Sequence, residues 1–91
     1  MEDVKHHTKA DMLHMLAERL EEELEDVVTY GELYKHLIAH EMYDEADLVE
    51  EIARDEYSHA TALCEHLKDI GEYPTDEKYH KLWHEAKMYF D

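Results

Sequence analysis

The chain has almost nothing with which to interrupt a helix: two glycines, Gly31 and Gly71, and one proline, Pro74, in 91 residues. Apolar residues recur at spacings of three and four, which is the period of an α-helix. The reading is therefore all-α, with three helices in one domain spanning residues 1–91. The first runs from about 8 to 40 with Thr8 as N-cap. The second runs from about 44 to 70 with Asp44 as N-cap and Gly71 supplying the left-handed residue that ends it. A Tyr73-Pro74 linker follows, and Thr75 is expected to cap a short third helix over about 76–90 with Asp76 and Glu77 in its first turn.

The first two helices are read as an antiparallel hairpin because their stripes do not share a phase. Leu13, Leu16, Leu20, Glu23, Val27, Tyr30, Tyr34, Leu37 and Glu41 form one heptad-like row. Continued past Glu41, the same phase lands mostly on polar residues. The second helix has its own row: Leu48, Ile52, Glu56, His59, Leu63, Leu67 and Ile70. A break near Glu41–Tyr43 accounts for both. The first helix also carries Met12, Leu24, Val28 and Ile38 beside its main row, an apolar surface wider than one neighbouring helix covers. A second copy would complete a four-helix bundle, and a chain this short often needs such a partner or a metal. The third helix gathers Tyr79, Leu82, Trp83, Ala86 and Phe90 on one side, expected to pack on the bundle or on a further subunit.

Charge narrows the function. There are 25 Asp and Glu against 9 Lys and Arg, a formal net charge of −16, which repels nucleic acid and attracts cations. Nine histidines add metal-binding nitrogen. The single cysteine, Cys64, cannot form an internal disulfide and fits a reducing cytoplasm; on its helix it reads as a small packing residue. No segment has the apolar run of a signal peptide or membrane span, and residues 1–7 are polar and carry acid.

Three charged or polar residues stand where leucine belongs. Glu23 interrupts the first row, Glu56 and His59 the second. Burying them unpaired costs several kcal/mol, so something must compensate. Glu56-x-x-His59 projects both side chains from one helix face, and a turn near residue 42 brings Glu23 opposite residues 59–61. A two-fold axis would then assemble four carboxylates and two imidazoles, the ligand set with which helical bundles hold two iron or manganese ions. The competing readings are a buried Glu–His pair and a row drawn too widely. The i,i+4 pairs His36/His40 and His80/His84 are weaker candidates, since exposed histidines at this spacing are frequent.

The runs Glu22-Glu23-Leu24-Glu25-Asp26-Val27-Val28-Thr29-Tyr30 and Asp55-Glu56-Tyr57-Ser58-His59-Ala60 resemble the ferritin-like superfamily. The likeness covers about residues 10–70 and is greatest to encapsulated ferritins, with rubrerythrins second. It implies a half-ferritin that dimerises into a four-helix bundle, builds a ferroxidase site at the dimer interface and assembles into decameric rings inside an encapsulin shell in the cytoplasm. It assigns Glu23, Glu56 and His59 as iron ligands, with two Fe per dimer. Tyr30 becomes a tyrosine just outside the ligand set, and Glu22 and Glu25 the acids where metal enters. Two departures stand out. The stretch from Glu23 to Glu56 is longer than in encapsulated ferritins and nearer to rubrerythrin, and no recognisable encapsulin-targeting tail follows Met88. One cysteine cannot build a rubredoxin-type iron site either. The expected function is oxidation of Fe(II) to Fe(III) by oxygen or peroxide, for iron storage or detoxification, with manganese or zinc as substitute metals. The alternatives are a rubrerythrin-like di-metal peroxide scavenger and a non-enzymatic acidic helical oligomer with a structural metal or none.

Overall fold

A computed structural model describes residues 8–90; the polar start at 1–7 and the final Asp91 lie outside it. Three helices follow in order: α1 Lys9–Ala39, α2 Tyr43–Asp69 and α3 Glu77–Phe90. Thr8 opens α1 as expected. Its hydroxyl accepts the Asp11 amide at 3.1 Å while the Asp11 carboxylate accepts the Thr8 amide at 3.0 Å, a reciprocal capping box.

The hairpin turn falls where the change of phase puts it, and two helix ends use one device. After α1 the Met42 amide donates to the Leu37 carbonyl at 2.9 Å and the Glu41 amide to Ile38 at 3.0 Å, with Glu41 left-handed at φ 59°. After α2 the Glu72 amide donates to Leu67 at 2.9 Å and the Gly71 amide to Lys68 at 3.1 Å, with Gly71 at φ 78°. Both are Schellman motifs. Glycine takes this conformation freely, whereas Glu41 pays a steric cost for it.

Two expected caps move. Asp44 does not cap α2: Met42 holds that position without a side-chain hydrogen bond, and Asp44 and Glu45 sit in the first turn. The Schellman turn commits Met42 to closing α1, so α2 starts at the next residue. Nor does Thr75 cap α3. The Asp76 carboxylate accepts the Tyr79 amide at 3.0 Å, so Asp76 takes the role one residue later.

The core gathers Leu20, Leu24 and Val27 of α1, Ala60, Cys64 and Leu67 of α2, and Tyr79 and Ala86 of α3. On α2 the buried row is Ala46, Val49, Ala53, Ala60, Cys64 and Leu67. Of the row read from the sequence only Leu67 is fully buried. Leu48 and Ile70 are exposed, and Ile52, Glu56 and Leu63 are half-buried. The small side chains let the two long helices approach; of the larger apolar row, Leu67 joins the core and Leu63 packs against it, while Leu48 and Ile70 face away.

Helix α3 packs on its own hairpin. Tyr79 and Ala86 are fully buried, and Leu82, Trp83 and Phe90 pack against the core. Trp83 and Phe90 stack on Tyr57, with ring centroids 5.7 and 5.3 Å away. Tyr89 lies so close to Gly31 that a Cβ there would come within 2.6 Å of its ring. The width of the first helix is thus partly covered within the chain, because Leu24 and Val28 lie in or against the core that α3 completes. Cys64 is a buried packing residue whose Sγ is 3.2 Å from the Tyr79 hydroxyl.

The molecule measures 50 × 31 × 18 Å, and 18 Å is too thin for more than two layers of helix. The hairpin is one layer and α3 the other. At 100° per residue, Met12, Met15, Arg19, Glu23, Asp26, Leu33 and Leu37 lie on the side of α1 turned away from α3. Leu48, Ile52, Glu56, His59, Leu63 and Ile70 occupy the matching side of α2. This second face has no helix over it among the described residues, and Met12, Met15, Leu33, Leu48 and Ile70 are exposed on it.

Candidate metal centre

Glu23, Glu56 and His59 meet in the middle of this second face. One potential ligand atom from each lies within 4.8 Å of the other two, the only such group of three or more among the described residues. The register follows from the hairpin. Glu23 lies on α1 in the turn between Leu20 and Val27, both fully buried, which fixes its backbone. Glu56 and His59 are one turn apart on α2, just off the buried Ala60.

The three differ in environment. Glu23 is 5% exposed, the one buried charged side chain among the described residues. Its Oε1 forms an ion pair with Arg19 Nη2 at 2.9 Å. Its Oε2 is buried without a hydrogen bond and stands 3.9 Å from the Nδ1 of His59, too far for one. His59 is well exposed. Glu56 is half-buried, and its carboxyl is pushed up to about 7. The first cause is the hydrogen bond it makes to the Glu23 carboxylate when protonated; desolvation and repulsion from Glu23 and Asp26 add to it, and His59 opposes it. Two carboxylates this close disfavour joint ionisation unless a proton or a cation lies between them. The unpartnered Oε2, the raised Glu56 and the imidazole beside them make an oxygen-rich set with one nitrogen donor. That set suits iron, manganese or zinc.

The remaining expected residues fall elsewhere. Glu22 is exposed and accepts the Arg19 Nη1 at 2.9 Å. Glu25 pairs with Lys78 of α3 at 3.1 Å, on the other side of α1 from Glu23. Tyr30 is half-buried and lines a cavity of about 240 Å³ with Tyr34, Ala53 and Tyr89, two turns along α1 from Glu23. The pairs His36/His40 and His80/His84 are exposed and belong to no cluster of three ligands among the described residues. Sequence reasoning passed over Arg19. The signal for it was its position four residues before Glu23, the spacing at which opposite charges pair on a helix.

No helix among the described residues is long and apolar enough to cross a membrane. No protein-family model, curated protein or solved structure matches this chain.

Proposed function

We propose that this protein is a ferroxidase whose iron site is completed when two copies join through the open face of the hairpin. The observation that carries this reading is the convergence of Glu23, Glu56 and His59, with one oxygen of Glu23 buried and unpartnered. With Glu56 ionised, the buried Glu23 carboxylate is left half-satisfied, which is costly, and a cation removes that cost together with the repulsion from Glu56. Each hairpin offers only three ligating side chains. A two-fold partner doubles them to four carboxylates and two imidazoles, offsetting the four positive charges of two ferrous ions. The half-exposed apolar side chains around the site give the partner a surface to bury.

Iron is the substrate, and its own one-electron chemistry supplies the redox step: two Fe(II) each give one electron to oxygen or peroxide and leave as Fe(III). The protein's part is to hold the ions. Glu23 supplies the fixed, buried carboxylate. Glu56 gives up its proton on metal binding and becomes the second, and His59 supplies nitrogen from the exposed side. Tyr30, Glu22 and Glu25 have no part in the ligand set on this account.

The test is ferric absorbance and oxygen uptake after adding Fe(II) to the purified protein. Glu56→Ala and His59→Ala should lose rapid oxidation while circular dichroism shows the helices intact. Unchanged oxidation in both variants would overturn the reading. Steady turnover of peroxide with an external reductant, in place of single-pass oxidation of iron, would make the protein a peroxide scavenger instead.

A further inference from the structure

We infer that Arg19 is a tethered counter-ion that holds Glu23 in the metal-free site and has to release it when a divalent cation binds. This rests on the metal reading above and adds the control of that site. The guanidinium spans two carboxylates, with Nη2 2.9 Å from Glu23 Oε1 and Nη1 2.9 Å from Glu22 Oε2. The two acids differ sharply, the Glu23 side chain being 6% exposed and that of Glu22 60%. One cation therefore reaches from solvent onto the outer edge of the buried carboxylate. It satisfies Oε1 and leaves Oε2, the oxygen nearest His59, without a partner.

This arrangement has a direction. A metal ion seated against Glu23, Glu56 and His59 would stand within several ångströms of the guanidinium, and two positive centres at that range repel. Arg19 itself is half-exposed and can stay on Glu22 when it leaves Glu23, so release does not strand its charge. A monovalent cation brings no more charge than the guanidinium already supplies, whereas a divalent ion brings twice as much. Arg19 thus sets a threshold: it lowers affinity for every cation, and only a divalent ion regains enough from two carboxylates to displace it. Two charges on the ion and one on Arg19, about 6 Å apart in a solvent-like dielectric, repel by an amount equivalent to roughly tenfold in binding.

The experiment is calorimetric titration of the whole chain with zinc, a redox-silent substitute that needs no turnover. It compares the parent with Arg19→Gln and Arg19→Lys at a concentration where sedimentation shows the same assembly for all three. Arg19→Gln should bind zinc about tenfold more tightly than the parent, and its metal-free form should melt at a lower temperature because Glu23 has lost its counter-ion. Arg19→Lys keeps the charge and should stay near the parent. Equal or weaker zinc binding by Arg19→Gln, with zinc binding intact in the parent, would overturn the counter-ion role and leave the metal reading standing. A purely orienting role for Arg19 gives that weaker binding. Zinc binding by Arg19→Gln with none by the parent would also overturn it, because a divalent ion would then fail to displace the guanidinium. Binding by neither would remove the metal reading, and this inference with it.

Discussion

The two faces of the hairpin are built from the same helices and solve opposite problems. One is closed: α3 lays Tyr79, Ala86 and a stack of aromatic rings over Leu24, Ala60 and Cys64, and no buried side-chain oxygen or nitrogen there lacks a partner among the described residues, Tyr79 finding Cys64. The other is open, and there a carboxylate is buried with one oxygen unsatisfied while leucines and methionines stay half in water. The closed face shares in the buried core that all three helices build. The open face gives up stability where Glu23, Glu56 and His59 converge, and a functional site is the expected place for local physical rules to be broken.

Breaking the closed face should have the largest effect. Tyr79 is the largest fully buried side chain, and Tyr79→Ala should cost about 3–5 kcal/mol in urea unfolding. That is a large part of what a domain of this size has to spare. On the open face Leu48 is 58% exposed, and Leu48→Gln changes no charge. It should leave the unfolding of the separated chain within about 0.5 kcal/mol of the parent and weaken self-association about tenfold, measured by sedimentation. A large loss of monomer stability there would mean that the two faces are not different in kind.

The pH response sharpens the same contrast. Glu56 is raised from 4.5 to about 7 in the folded protein, so the fold holds that proton more tightly than the unfolded chain does. The stabilisation is fully present below about 4.5 and is lost as pH rises through about 7. Glu56→Gln should remove this slope and make the metal-free protein about 1 kcal/mol more stable than the parent at pH 8, solvent screening keeping the gain small. Zinc affinity in the parent should rise over the same window, because metal and proton compete for Glu56. Parallel stability curves for the two proteins between pH 5 and 8 would remove Glu56 as the group responsible.

The smallest effect belongs to the two helix ends. Gly71 takes its left-handed conformation without cost, whereas Glu41 does not. Glu41→Gly should stabilise by roughly 0.5–1 kcal/mol in thermal unfolding and leave metal binding unchanged.

Much of this was legible in the sequence. The change of heptad phase near Glu41 located the turn, and the turn put Glu23 level with His59. What misled was side-chain size. Leu48, Ile52, Leu63 and Ile70 mark a conspicuous row on α2, yet the helix packs on α1 through Ala46, Ala53, Ala60 and Cys64. Alanine carries little weight in a hydrophobic pattern, although it is what lets two helices come close. The width of α1 points to a second copy and to α3 packing on the bundle, and α3 takes part of it. Arg19 escaped notice because an arginine on a helix surface is ordinary; only the burial of Glu23 gives its pairing meaning. The caps at Met42 and Asp76 depended on turn geometry that residue preferences do not encode.

We propose that Glu23, Glu56 and His59 bind metal jointly with a second chain. Native mass spectrometry across a titration with zinc or anaerobic Fe(II) tests it most directly. Metal held by both chains adds to the association energy, so dimers or their multiples should grow at the expense of smaller species and carry two ions per dimer. Glu23→Ala should suppress that shift, while Glu25→Ala, whose carboxylate is engaged with Lys78 on the far side of α1, should leave it nearly intact. Assembly indifferent to metal, or ions bound one per monomer with no growth of the dimer, would contradict the account.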